Sequence, residues 1–458
     1  MTTTHTIPGP EGPGYAEKVP PALKSSQPWR GFLRIARPFR TGIGLFACAF
    51  APVGAQAQAA GGLTLAQVTA SALQVSPSVS IAQQTLAQAR ARLGQAQAGR
   101  RYQITFNSVA SVSNGSIYQG PPSQETFGSL QNTLTIPLPF NPRLNALQRQ
   151  AQAQLDAAQS QFAAARLTAA GQAQTAYFDL LKQRALLKTA RENAAQAQAA
   201  LQVAQKRYQD GVAPQLDILK AQVPTATAEA AVTQAESQVA VSSQTLNNLL
   251  GQPLDGEPSV ADIAASPALT LSLNDARQQA VAASADVRAA QSNIQAAEAG
   301  LAAARLTRVP EFALQASDTR SKDVTGFGRL DTAQISVTLP LSDGGLARAQ
   351  IQEADAVLMS SQTSLIQAKQ TAALTAGTAY VTAQGALAQI APTQTAVEIA
   401  QTTLAKTQEG YQAGLNPIID VLNTQLALNQ ARIAHARAVY DAAAALATLN
   451  RALGKELP

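Results

Sequence analysis

Only two histidines and one cysteine occur in 458 residues, which excludes a His/Cys metal site, a zinc finger and a disulfide framework. Charge is scarce too: 14% of residues are Asp, Glu, Lys or Arg, against roughly 25% in average soluble proteins. Aromatics make up 4%, few for a globular enzyme. No nucleophile–base constellation, phosphate loop or metal-ligand set can be read, so no catalytic residue, metal or cofactor is expected. What fills the chain is Ala, set among Gln, Ser, Thr and Asn. This composition suits long helices that pack closely through small side chains. His435 lies between Ala434 and Ala436 and reads as a solvated or seam histidine rather than a pH sensor. Asp179, Arg184, Lys188 and Asp441 read as ordinary helix-surface charges.

The net charge of +6 belongs mostly to the N-terminus. Residues 1–59 hold six Lys/Arg and two acids, which leaves 28 basic and 26 acidic residues elsewhere. No basic face for nucleic acid remains. Four Arg between Trp29 and Arg40 precede an apolar run, Thr41 to Val53, and then Ala55-Gln56-Ala57 and Ala57-Gln58-Ala59. That is the order of a secretory signal, with two A-x-A cleavage sites. The run is shorter than the ~20 residues that span a bilayer as a helix. Residues 1–59 therefore read as an N-terminal extension and signal peptide. Leu45-Phe46-Ala47-Cys48 resembles a lipobox, although Phe46 fits it poorly. Cys48 has two readings, a residue discarded with the signal or a lipid attachment site.

Self-similarity organises the rest. Leu63-Thr64-Leu65 and Leu271-Ser272-Leu273 stand 208 residues apart. Thr135-Ile136-Pro137-Leu138 and Thr338-Leu339-Pro340-Leu341 stand 203 apart, as do Tyr208-Gln209-Asp210-Gly211 and Tyr411-Gln412-Ala413-Gly414. Two homologous halves follow, 60–258 and 259–458. Each begins with a helical stretch, Thr64 to about Gly99 or Leu271 to about Thr307. A change to period two then predicts a β-hairpin, 102–138 or 310–340. Tyr102, Ile104 and Phe106 alternate with polar residues, as do Ile335, Val337 and Leu339. Asn114-Gly115 marks a turn in the first hairpin, and Thr325-Gly326 with Gly328 mark the loop of the second. Long helices return over Leu144 to Tyr208 and Leu346 to Tyr411; the first would reach roughly 98 Å. Pro392 should kink or rewind the second. A Gly-x-x-Pro turn leads each half into a last helix, to Leu250 or Leu453, the first interrupted early by Pro224. The fold is thus mainly α with a small β portion and an internal twofold repeat. Four strands leave open edges and are fewer than the about eight with which bacterial barrels begin, so oligomerisation is expected.

The twofold repeat, the helix–hairpin–helix order, the paired Tyr-x-x-Gly turns, and Asp217 and Asp420 six residues after their glycines together resemble the TolC-like outer membrane efflux family. So do the Pro-Leu strand ends at Pro137 and Pro340 and the Gly344-Gly345 step. The resemblance covers about 62–457. It implies a homotrimer in which a 12-stranded transmembrane β-barrel, four strands per chain, sits in outer-membrane lipid above a long-helix α-barrel in the periplasm. It also implies a periplasmic adaptor (membrane fusion) protein and an inner-membrane transporter of RND or ABC type as partners. The function implied is the exit channel of a tripartite efflux system. The alternatives are the duct of a type I protein secretion system and a periplasmic coiled-coil protein with no pore; the alternating strands argue against the last.

The resemblance also directs attention to the two turns. Gly211, Val212, Gly414 and Leu415 fall where the family meets its adaptor, although Gly followed by Pro is also an ordinary helix stop and start. The family's closed tip is held by a Tyr and an Arg of the second turn reaching an Asp of the first. Tyr411 and Asp217 match two of these positions, whereas Asn416 stands in place of the Arg. A Tyr411–Asp217 hydrogen bond is expected to persist and the charge-assisted link to be lost. The family's constriction can also carry two acidic rings. Asp420 matches one and Asn423 replaces the other. Asp217 and Asp420 have a plainer reading as first-turn acids favoured by the helix dipole.

Overall fold

The computed structural model of the chain describes residues 62–116, 124–262, 269, 271–323 and 326–455. The signal segment, Cys48, both A-x-A sites and Thr325 lie outside the described residues. In chain order the elements are α1 (Leu65–Val75), α2 (Pro77–Ala98), β1 (Thr105–Ser116), β2 (Gln124–Pro137), α3 (Pro142–Gln209) and α4 (Gln215–Leu250). The same succession then repeats as α5 (Leu273–Ala283), α6 (Ala285–Arg305), β3 (Glu311–Asp323), β4 (Gly326–Thr338), α7 (Leu346–Gln412) and α8 (Ile418–Ala452).

The opening helical stretch of each half is two helices rather than one. They part at Ser76 and Ser284, again 208 residues apart. Pro77 occupies the first turn of α2, where its missing N–H costs nothing. In the second half no proline is needed, because the Ser284 hydroxyl accepts from the Val287 N–H at 3.3 Å and caps the new helix.

The long helices run as expected, 68 residues in α3 and 67 in α7. Neither interior proline ends its helix: α4 passes through Pro224 and α7 through Pro392. Neighbouring threonines bond to carbonyls beside each proline. Thr227 Oγ1 donates toward the Val223 and Pro224 carbonyls, and Thr393 Oγ1 toward those of Gln389 and Ile390. His435 Nδ1 lies 3.2 Å from the same Thr393 oxygen, in the seam between α7 and α8. Gly171, inside α3, leaves the space that the Arg451 side chain of α8 crosses.

Small residues let the helices approach. Ala173, Tyr177, Leu180 and Leu181 of α3 pack with Leu246 and Leu250 of α4 and Ala447 of α8. A second cluster repeats the theme with Ala376, Ala379 and Ala383 of α7 against Leu446, Leu449 and Leu453. Of the charges expected on open surface, Lys188 is exposed, whereas Asp179, Arg184 and Asp441 are bridged. Lys182 of α3 pairs with Asp179 and with Asp441 of α8, and Ser242 of α4 donates to Asp179 at 2.9 Å. Arg184 donates to the Pro258 carbonyl at 2.6 Å. Burial opposes ionisation of Asp179, but the hydrogen bonds from Ser242 and Lys182 outweigh it and lower its pKa.

The strands form one antiparallel sheet in the order β1-β2-β3-β4. β1 extends beyond the expected turn: Asn114 and Gly115 pair with Thr126 and Glu125 inside the ladder. Gly326 and Gly328 likewise lie in β4, opposite Asp323 and Ser321. Residues 117–123, between β1 and β2, lie outside the described residues. Register sorts the side chains into two faces. One carries Phe106, Leu134, Ile136, Phe312, Leu314, Ile335 and Val337 near the helices and, farther along the strands, Ser108, Asn132 and the ion-paired Asp318, Arg320, Arg329 and Asp331. The other carries Thr105, Ser111, Ser129, Gln131, Thr133, Gln315, Ser317, Thr332 and Gln334, joined in part by Ser111–Ser129 and Ser317–Thr332 contacts at 2.7 and 2.6 Å.

Where β4 returns to α7, Asp343 accepts from the Gly345 and Ala347 N–H groups at 3.1 and 2.9 Å. It also forms a two-pronged pair with Arg308, which precedes β3. These bonds, led by the one from Arg308, hold the Asp343 carboxyl well below the usual carboxylate range. A carboxyl with a depressed folded-state pKa adds stability that is complete above its unfolded value of about 3.9 and disappears as pH falls through the folded value. Asp343→Asn should therefore lower the thermal unfolding temperature throughout pH 5–8, with the gap to the parent closing below about pH 4. A gap that widened on acidification would contradict the assignment.

Candidate functional site

The four long helices meet in two turns built alike. α3 ends with Gly211 at φ 74° and α7 with Gly414 at φ 75°, the left-handed region that disfavours side chains. In the first turn the Val212 N–H donates to the Arg207 carbonyl and the Gly211 N–H to that of Tyr208, each at 3.0 Å. In the second, the Leu415 N–H donates to the Gly410 carbonyl at 2.8 Å and the Gly414 N–H to that of Tyr411 at 3.1 Å. This paired pattern consumes carbonyls that a helix end would otherwise leave free. Pro214 and Pro417 then open α4 and α8 from extended backbone. The two turns thus push one apolar side chain each into solvent, Val212 at 63% and Leu415 at 81% exposure.

Behind the turns lies an apolar cluster of Leu201 and Ala204 of α3, Ala221 of α4, Leu404 and Tyr411 of α7, and Ile418, Val421 and Leu422 of α8. Tyr411 is 6% exposed. Its hydroxyl has no hydrogen-bond partner, so the expected bond to Asp217 does not form. Burial, and then the negative charge of Asp217, push the Tyr411 hydroxyl pKa up, while Arg207 pulls against them. Asp217 is near enough to be felt electrostatically, half-buried in the first turn of α4.

The charge-assisted link comes from a residue that sequence reasoning did not single out. Arg207, in the last turn of α3, donates from Nη1 to the Tyr411 carbonyl at 2.7 Å and to the Gln412 carbonyl at 3.0 Å. Its guanidinium carbon lies 4.7 Å from the centre of the Tyr411 ring, within cation–π range. Asn416 does not reach across the tip. Its side-chain amide folds back over Gly410 and occupies the place of a Cβ there. A signal existed in the repeat: at the offset of 203, Gly410 stands opposite Arg207 and Asn416 opposite Ala213.

Asp420 lies in the first turn of α8 and is exposed, as is Asn423 one turn later. Asp217 and Asp420 each sit three residues past a proline whose carbonyl accepts their N–H, at 3.0 and 3.1 Å. No cluster of potential metal ligands occurs among the described residues, and no helix among them is long and apolar enough to cross a membrane.

With this geometry in hand, comparison with known proteins is specific. A family model described as outer membrane efflux protein matches residues 68–252 and 276–455. Protein CyaE of Bordetella pertussis is 27% identical over 325 residues, 68% of either chain. The pyoverdine export outer membrane protein OpmQ of Pseudomonas putida is 26% identical over 310 residues, 66% of this chain and 64% of that one. The crystal structure of the outer membrane protein VceC of Vibrio cholerae superposes with a TM-score of 0.73 at 23% identity, covering 85% of this chain and 96% of VceC.

Because both turn glycines occupy the left-handed region, Gly211→Ala and Gly414→Ala should each destabilise their turn by about 1 kcal/mol. Hydrogen exchange at the Val212 and Leu415 amides should accelerate accordingly. Unchanged protection would show that the turns tolerate a side chain.

Proposed function

This chain belongs to the outer membrane efflux protein family, and from that membership we propose that three copies close into one outer-membrane exit duct for small molecules, gated at the paired turns. The family makes it a channel component and not an enzyme. Outer membrane efflux proteins work with an adaptor and an inner-membrane transporter, and homologous channels are trimers. For this chain the transporter is of RND or ABC type, and the repeats 60–258 and 259–458 each contribute one hairpin and one pair of long helices.

The observation that carries the reading is the two-faced sheet. Over the part nearest the helices one face is apolar and the other lined by Ser, Thr and Gln; farther along, the apolar face gives way to the Asp318, Arg320, Arg329 and Asp331 cluster, and β1 and β4 are the outer strands. A lipid-facing barrel wall has this alternation, with polar residues toward the lumen. A neutral lumen presents hydrogen-bonding groups without a strong field. Export of a small molecule is favoured by the relative named for pyoverdine export.

Gly211, Val212, Gly414 and Leu415 form the adaptor contact, since two exposed apolar side chains on adjoining turns suit a packed protein surface. Asp420 supplies one acidic ring of the constriction, and Asn423 leaves the next position neutral. Asp217, Tyr411 and Asn416 belong to the same gate.

Cross-linking in native membranes followed by recovery of the tagged protein is expected to bring down an adaptor and its transporter. The double variant Val212→Asp, Leu415→Asp should lose the adaptor while keeping its oligomer; undiminished recovery would remove the turns from the interface. In planar bilayers, trivalent cations should block the parent channel, and Asp420→Ala should abolish the block. Equal block in both proteins would place Asp420 outside the constriction.

A further inference from the structure

Arg207 breaks the internal symmetry of the tip. The left-handed glycine, the paired carbonyl caps, the proline and the first-turn acid of the first turn each have a counterpart in the second. Arg207 has none, because the matching position is Gly410. The folded-back Asn416 amide lies over the Gly410 Cα and would have to move if a side chain stood there. The two turns are therefore not interchangeable, and one arginine serves both.

We propose that Arg207 is the tether that holds the tip closed, gripping the end of α7 through two peptide carbonyls and the face of the Tyr411 ring, with the Tyr411 hydroxyl taking no part. This rests on the reading of the turns as the gate. Arg207 is a positioning residue: it acts on the path of α7 and α8, not on the substrate.

Three features distinguish a tether from an ordinary helix-end cation. A basic residue in the last turn commonly bonds its own helix's carbonyls, yet this one spends its bonds on the carbonyls of residues 411 and 412 in another helix. Those carbonyls lie at the negative end of α7, where a cation is favoured. The guanidinium also stacks over a ring that is itself buried among the residues joining all four helices. Charge-assisted bonds are about twice as strong as neutral ones. Because they end on backbone carbonyls, no substitution at 411 or 412 removes them directly. Lysine would keep the charge but lose the planar fork and the stacking.

The hydroxyl of Tyr411 gives the sharpest consequence. It is buried and unpartnered, so its removal leaves the tether intact, whereas loss of the ring removes the stacking and leaves the two carbonyl bonds. Single-channel conductance in planar bilayers should rise severalfold in Arg207→Ala and to an intermediate level in Arg207→Lys. Tyr411→Phe should conduct like the parent, and Tyr411→Ala, which loses the stacking but keeps the two carbonyl bonds, should rise only to an intermediate level. If Arg207→Ala fails to form heat-stable oligomers, Arg207→Lys against Tyr411→Phe carries the comparison. Opening by Tyr411→Phe as large as by loss of Arg207 would overturn the tether in favour of a hydroxyl-based latch. Parent-like conductance in both Arg207 variants, with Tyr411→Ala or Asp420→Ala still altering the channel, would overturn the tether and leave the gate standing. Parent-like behaviour in every tip variant would overturn the gate and the tether together.

Discussion

A strand in a hydrocarbon layer must have every backbone N–H and C=O paired, because no water is there to take their place. This sheet ends on β1 and β4, each bonded to one neighbour among the described strands. Closing the sheet on itself is impossible with four strands, so the remaining pairing has to come from further copies. The same closure gives both faces a purpose near the helices, apolar residues toward lipid and neutral polar ones toward a lumen, while the paired Asp318, Arg320, Arg329 and Asp331 stand farther along the strands. The internal repeat follows from this constraint, since each half adds one hairpin and one pair of long helices to a ring.

The helices meet a related demand with different chemistry. A wall of packed helices has narrow seams and wet faces, which explains why Ala fills the seams and Gln and Ser the remainder. Such a wall has little apolar area to hold it together. Specific polar bridges compensate: Lys182 between Asp179 and Asp441, Arg308 with Asp343, and Arg207 across the two turns. Each sits where separate elements must be kept in register.

Much of this was legible in the sequence because period and repeat reinforce one another. The change from period 3.6 to period two located both hairpins, the absence of proline located α3, and the repeat located its counterpart α7. Asn114-Gly115 misled because turn propensity is local, whereas cross-strand pairing with Thr126 and Glu125 extends the ladder past it. Pro224 does not interrupt α4, which continues through it as α7 does through Pro392. At the tip, matching residues to a family pattern found Tyr411 and Asp217 but assigned them a bond that does not form. Arg207 was missed because it lies one turn before the glycine motif, where a basic residue at a helix end attracts no notice. Only its mismatch with Gly410 across the repeat betrays it.

The central claim is that several copies close one sheet into one barrel. Native mass spectrometry of the protein extracted from outer membranes in detergent tests it most directly. Three copies per particle, with no monomer and no open-ended series, is the expected result. A monomer, or a ladder of increasing size, would contradict closure and with it the reading of the chain as a duct.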